Sequence, residues 1–286
     1  MFRTRLLSGI LLVAAALAVL MTGGALLATV LFLVSVIAYR ELSGACKIRK
    51  EGEMTCPPEI VGCVMTLVYY GALGLSLPFG LMTVYSVMLL VIVTAFLAFL
   101  FVYVFTFPKY HANQIMAAMF SFLYGPVMLS FLYLLREGIV EGVYLVWFVF
   151  LASWGSDTCA YCVGVLIGKH KMTPKLSPKK SVEGAVGGVL GAALLFVLYT
   201  HFVINRYTGI TLSLPFAAVL GAVGALVSMV GDLAASAVKR DHGIKDYGKL
   251  IPGHGGIMDR FDSVIVAAPI IFFGLSLVRE RGMMGI

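Results

Sequence analysis

Asp232 and Ser236, followed by Lys239 or Arg240, recur at i, i+4 and i+7/8, so on a helix they line one face. A run of charge comes next. It holds Lys245-Asp246, a glycine-rich turn at Pro252-Gly253-His254-Gly255-Gly256, and then Asp259-Arg260-Phe261-Asp262, whose aspartates are i, i+3 neighbours. Carboxylates from two helices and a loop, with no cysteine among them and basic groups to spare, suit Mg2+. That hard cation takes oxygen ligands, keeps several waters and is shared with substrate phosphates. The chemistry this predicts is a metal and phosphate site.

Two further clusters carry compatible groups. In Ser153-Trp154-Gly155-Ser156-Asp157-Thr158, Asp157 lies well inside an apolar run, where an ionisable side chain costs several kcal/mol (about 3 on insertion scales) unless paired or hydrated. At helical spacing Asp157, Tyr161, Gly164 and Gly168 share a face, which offers a carboxylate, a phenol and two places for close backbone approach. The blander alternative is an aspartate held by a neighbouring Ser or Lys for structural reasons. The segment 169–188 packs five lysines ahead of Ser181 and Glu183. Ser181 is placed to cap the next helix, and a helix N-terminus with lysines beside it makes a polyphosphate cradle. Lys179, Lys180 and Ser181 abut that helix start. Lys171 and Lys175 read more simply as loop charge. Gly184, Gly187, Gly188 and Gly191 have the small-xxx-small spacing of tightly packed helices.

The elements that must position these groups are membrane helices. The chain has 286 residues, of which 60% are hydrophobic and 12% charged, about half the ~25% charge of a soluble domain. The pattern predicts an all-α, polytopic integral membrane protein of about nine transmembrane helices, at 6–22, 25–39, 60–77, 81–107, 112–135, 142–168, 184–204, 212–238 and 261–278. Only Thr22-Gly23-Gly24 separates the first two, which read as a hairpin or one broken unit. Arg3 and Arg5 before an apolar run also resemble a cleaved leader. Because the apolar stretch resumes at once without a clear cleavage site, the segment is read as a span. Residues 1–135 read as a transmembrane scaffold of about five helices, and 136–286 as the catalytic region with cytoplasmic loops 169–183 and 239–260.

With the N-terminus in the cytoplasm and all nine spans crossing, 17 of the 21 Lys and Arg fall inside. The expected location is the cell inner (plasma) membrane, with the N-terminus and the catalytic loops cytoplasmic. The net charge of +7 thus belongs to cytoplasmic loops, some of them against anionic lipid. Without a soluble basic domain, nucleic acid is not a partner. Five scattered cysteines make no disulfide framework, and Cys159-Ala160-Tyr161-Cys162 reads as small packing residues.

The run Ser236-x-x-Lys239-Arg240-x4-Lys245-Asp246-x-Gly248-x2-Ile251-Pro252-x-His254-Gly255-Gly256-Ile257-x-Asp259-Arg260-Phe261-Asp262 resembles the signature of the CDP-diacylglycerol synthase (phosphatidate cytidylyltransferase) family. Ser156-Asp157-Thr158-x-Ala160-Tyr161, Ser177-Pro178-Lys179-Lys180-Ser181-x-Glu183-Gly184 and Gly231-Asp232-Leu233 resemble its other motifs. Where that family often has a glutamate before the serine, this chain has Ala235, so its site must work without that carboxylate. The motifs cover about 153–262; the N-terminal half matches only in being hydrophobic.

The resemblance implies a nucleotidyltransferase making CDP-diacylglycerol and pyrophosphate from CTP and phosphatidate. It implies dependence on Mg2+, with a second cation left open. On this reading Asp246 and Asp232 lead the metal ligands, followed by Asp157, Asp259 and Asp262. Catalytic roles fall to Asp246, Lys245, Lys239, Arg240, Ser236 and His254, and substrate-binding roles to Lys179, Lys180, Ser181, Tyr161, Arg260, Gly255 and Gly256. His254 contacts a phosphate or orients a ligand, against the plainer reading of a satisfied turn histidine. The expected partners are CTP, phosphatidate and the membrane, and the small-residue helix faces permit a homodimer. Two rivals stand beside this reading. A CDP-alcohol phosphotransferase would carry a D-G-x-x-A-R start that is absent here. A secondary transporter or ion channel would spread polar residues through the depth of several spans.

Overall fold

In the computed structural model, residues 2–49, 53–253 and 255–280 are described. The order is α1 (Phe2–Thr22), α2 (Gly24–Ala45), α3 (Pro57–Phe79), α4 (Leu81–Thr106), α5 (Ala112–Glu137), α6 (Gly142–Ile167), a β-hairpin, α7 (Val182–Tyr207), α8 (Leu214–Asp241) and α9 (Met258–Glu280). Among the described residues, the eight helices α2 to α9 are long and apolar enough to cross a bilayer, while α1 adds the shorter apolar stretch Gly9–Thr22. The protein is therefore a multi-pass helical membrane protein. α1 and α2 are separate helices. The chain breaks at Gly23, whose φ of 68° is in the left-handed region that glycine adopts without strain.

Two departures from the expected edges matter for the site. α2 continues to Ala45 rather than stopping near residue 39, so Arg40 and Glu41 are helical. The lysine-rich segment after α6 is a hairpin, β1 (Lys171–Thr173) pairing antiparallel with β2 (Ser177–Ser181), and it is the only sheet among the described residues.

The chain divides into two compact units, one of residues 1–133 and 241–260, the other of 134–240 and 261–286. In the first, the core is aromatic: Tyr39, Tyr69, Tyr70, Phe99 and Phe122 are buried. The hydroxyls of these three tyrosines each find a partner, which offsets the cost of taking a phenol out of water. Tyr39 donates to the Pro58 carbonyl at 3.0 Å, Tyr70 pairs with Ser35 at 2.8 Å and Tyr69 with Ser130 at 3.0 Å. Glu59, 1% exposed, is clamped by Arg40 at 3.2 Å and Arg49 at 3.3 Å, tying the end of α2 to the start of α3. Cys46 and Cys56 stand just outside the spans, and burial pushes both thiols up, which keeps them protonated and inert. No disulfide forms among the described residues.

The second unit is built on small residues. Phe196 lies against Gly221, and Ala152 and Ile271 meet at Gly224, so α6, α7, α8 and α9 pack at short range. A wide π-type turn at Leu151–Gly155 interrupts α6 immediately before Asp157. Such turns reset the facing of everything downstream and recur at functional sites.

Candidate active site

In the second unit, α6 and α7 approach backbone to backbone. A Cβ on Gly184 would sit 2.8 Å from the Ala160 carbonyl and 3.3 Å from the Gly164 Cα, and one on Gly188 would lie 3.0 Å from the Ala160 Cβ. Cys159 fills the space beside Gly191, in keeping with a packing role. Ser181 caps α7, its hydroxyl accepting the Gly184 N–H at 3.2 Å. Glu183, in the first turn of α7, accepts the N–H groups of Lys169 (3.1 Å) and His170 (3.2 Å) and pairs with the His170 ring. The two carboxyl oxygens thereby fix the strand-like exit from α6 against the head of α7, which sets where the hairpin lysines point.

The result is a cavity of about 450 Å³ lined by Asp157, Tyr161, Lys171, Lys179, Lys180 and Asp232, with Ser181 and Gly184 at its edge. Lys180 forms an ion pair with Asp232. Asp157 is exposed to the cavity and within electrostatic range of both. Asp262, 8% exposed on α9, is within range of Asp157, Asp232 and Lys239. Gly231 brings it there, since a Cβ at that position would meet the Asp262 carbonyl at 2.8 Å. Two carboxylates, Asp157 and Asp232, and the lysines Lys171, Lys179 and Lys180 thus share one polar recess among the helices, and the buried carboxyl of Asp262 lies within electrostatic range of both aspartates. Among the described residues no three His, Cys, Asp or Glu side chains close a metal cage by themselves. An open set of carboxylates is what Mg2+ uses when substrate phosphates and water complete its shell, so the donor chemistry fits that ion.

The rest of the predicted set is divided between the two units. Ser236 is half-buried on α8 one turn beyond Asp232, and Arg240 is exposed near its end. Ala235 is fully buried, so the position that lacks the glutamate points into packing here. In the first unit, Lys245 and Asp246 are exposed on the loop before α9. The Ile251 N–H donates to the Gly255 carbonyl at 2.8 Å and closes the glycine turn, with Gly253 and Gly255 at φ 78° and 88°. His254 lies outside the described residues. Asp259 is turned inward: its Oδ2 accepts the N–H groups of Tyr247 at 2.8 Å and Gly256 at 3.0 Å. Arg260 is half-buried in the first turn of α9.

Sequence reasoning passed over two residues. Lys171, read as loop charge, lines the cavity because the hairpin folds it back. Glu41 carries no role in the sequence reading, yet its carboxylate accepts the N–H groups of Ile257 (3.1 Å) and Met258 (2.8 Å). The available signal was a glutamate directly after Tyr39-Arg40 in a run that stays helix-compatible to Ala45.

Helices of this length around a recess of carboxylates and lysines define a multi-pass membrane protein with a charge-lined cavity. The chain belongs to the cytidylyltransferase family, a class of nucleotidyltransferases, which it matches over residues 3–278. Among its relatives, the phosphatidate cytidylyltransferase of Haemophilus influenzae is 34% identical over 133 residues, 46% of each chain. That of Staphylococcus epidermidis is 37% identical over 131 residues, 46% of this chain and 48% of the relative. That of Mycobacterium bovis is 32% identical over 171 residues, 60% of this chain and 54% of the relative. The matched stretches span about half the length of these curated relatives.

Proposed function

We propose that the chain catalyses CTP + phosphatidate → CDP-diacylglycerol + pyrophosphate, with Mg2+, in phospholipid biosynthesis at the cytoplasmic face of the inner membrane. The observation that carries this reading is the recess in which Asp157 and Asp232 share a wall with Lys179 and Lys180 inside membrane helices. The names of the relatives support the lipid and nucleotide substrates, and the bias of Lys and Arg toward one set of loops supports the orientation.

Phosphatidate carries a phosphate monoester whose second pKa is about 6, so near neutrality its oxygen is already an anion and needs no general base. That oxygen attacks the α-phosphorus of CTP. The bond to the β-phosphate breaks in line, and pyrophosphate leaves with the electron pair. No enzyme nucleophile is required; the obstacle is the repulsion of two polyanions, met by positioning and charge. Lys179 and Lys180 hold phosphate oxygens, helped by Ser181 and the head of α7. Asp157, Asp232 and Asp262 would hold Mg2+, which when bound neutralises the phosphates and stabilises the leaving group. Lys239 and Arg240, from the end of α8, supply further positive charge toward the water side. Asp246 and Lys245 carry the roles the signature gives them. Phosphatidate enters from the bilayer and CTP from the aqueous side.

Purified protein in detergent should release pyrophosphate only when CTP and phosphatidate are both present. Chelation of divalent cations should stop the release, and added Mg2+ should restore it. Pyrophosphate release that ignores the lipid, or transfer from a CDP-lipid to an alcohol instead, overturns this function.

A further inference from the structure

The loop 242–257 carries the Lys245-Asp246 pair and the glycine turn, but most of its backbone has no helix or strand to hold it. What holds it are two carboxylates. Asp259 accepts the Tyr247 and Gly256 N–H groups, and Glu41 accepts those of Ile257 and Met258, the latter two being orphan donors at the head of α9. The pair therefore accepts four backbone N–H groups, three of them from the consecutive residues Gly256, Ile257 and Met258.

The glycines of the loop are shaped around Glu41. A Cβ on Gly248 or Gly256 would overlap its carboxylate, and either substitution would expel it. Gly255, at φ 88°, would likewise drive a Cβ to 2.8 Å from Asp259 Oδ2. Glu41 is in turn anchored. The adjoining Arg40 is paired with buried Glu59, which also holds Arg49, so the end of α2 is fixed before it reaches the loop. The carboxylate sits at the end of a rigid helix rather than on a mobile segment, and rigid support is what a positioning group needs.

We propose that Glu41 is a positioning residue for the nucleotidyl transfer: its carboxylate, seated against Gly248 and Gly256 and bonded to the Ile257 and Met258 N–H groups, holds the Lys245-Asp246 loop in its reactive shape. Glu41 acts through the backbone of the loop, and for its activity readout the inference rests on the cytidylyltransferase reading above.

Glu41→Gln is the direct test, because it keeps the side-chain volume but turns one acceptor oxygen into an amide NH2 facing a backbone N–H. In full-length protein in detergent, kcat for CDP-diacylglycerol formation should fall about 10- to 100-fold while KM for phosphatidate stays near wild type. Deuterium uptake of a peptide covering 245–258 should rise, with the other helices and the thermal midpoint little changed. Should Glu41→Gln fail to fold, Gly248→Ala crowds the same carboxylate from the loop side and should show the same kcat loss and the same local uptake. Wild-type kcat in a variant with increased uptake overturns the proposal, as does lost activity with unchanged uptake of 245–258. If the wild-type protein itself transfers no nucleotide, the proposed function has failed, and the uptake comparison alone decides whether Glu41 holds the loop.

Discussion

Asp232→Asn is expected to cost nucleotidyl transfer on the order of 10²- to 10³-fold in kcat, the scale seen when one preorganised charge-stabilising group is removed from a catalytic site. Asp232 lies where the recess is most crowded with charge. Its carboxylate pairs with Lys180 and is within electrostatic range of Asp157 and Asp262. Asparagine preserves the shape of the side chain, so α8 keeps its packing and only the charge and one strong oxygen donor are lost. Lys180 then relaxes toward Asp157, its remaining carboxylate neighbour, and the phosphate-binding lysines shift with it. The variant should remain folded, and it should need more Mg2+ to reach its residual rate, because a hard cation has lost an anionic ligand. Kinetics against Mg2+ concentration check both parts. An Asp232→Asn protein with wild-type kcat and wild-type Mg2+ dependence removes Asp232 from the site.

Gly184→Leu should be the most damaging change away from the charges. Even the first atom of the new side chain lands 2.8 Å from the Ala160 carbonyl, 3.0 Å from Ser181 Oγ and 3.3 Å from the Gly164 Cα. Two of those are backbone atoms of α6, which cannot rotate out of the way. Overpacking by a methylene or two costs about 1–3 kcal/mol, and a full leucine at a backbone contact exceeds the lower end of that range. The helices must part, carrying Asp157 and Tyr161 away from Lys179 and Lys180, so activity and thermal midpoint should fall together. Gly184→Ala should lie between. Gly74→Ala is the control: nothing lies within 4 Å of its added Cβ, and it should leave both quantities near wild type. Parallel thermal unfolding and activity measurements on the three variants check the expectation; equal behaviour of Gly184→Leu and Gly74→Ala contradicts it.

The helices were legible in the sequence because hydrocarbon imposes a length and forbids unpaired backbone, so each apolar run declares itself. The end of α2 was not legible. Arg40 and Glu41 look like a span boundary, but a helix can carry its charged residues on into water without unwinding. The hairpin at Lys171–Ser181 was hidden for a different reason: lysine, proline and serine have little strand propensity, and Glu183 and the Ser181 cap impose its shape from the side. Asp157, Asp232 and Asp262 could be picked out because an aspartate in or at the edge of an apolar helix needs a reason. Glu41 could not. Its partners are some 216 positions away, and nothing local shows that a glutamate is aimed at Ile257 and Met258. The glycines of the loop gave half of that message, a close backbone approach, without naming what approaches.

One measurement reaches the central claim most directly. The wild-type protein is given phosphatidate, Mg2+ and CTP labelled at either the α- or the γ-phosphorus, and the label is followed into organic and aqueous phases. The account predicts that α-label enters the organic phase as a CDP-lipid while γ-label remains in water as pyrophosphate. γ-Label in the lipid, or α-label that never leaves the aqueous phase, would contradict it.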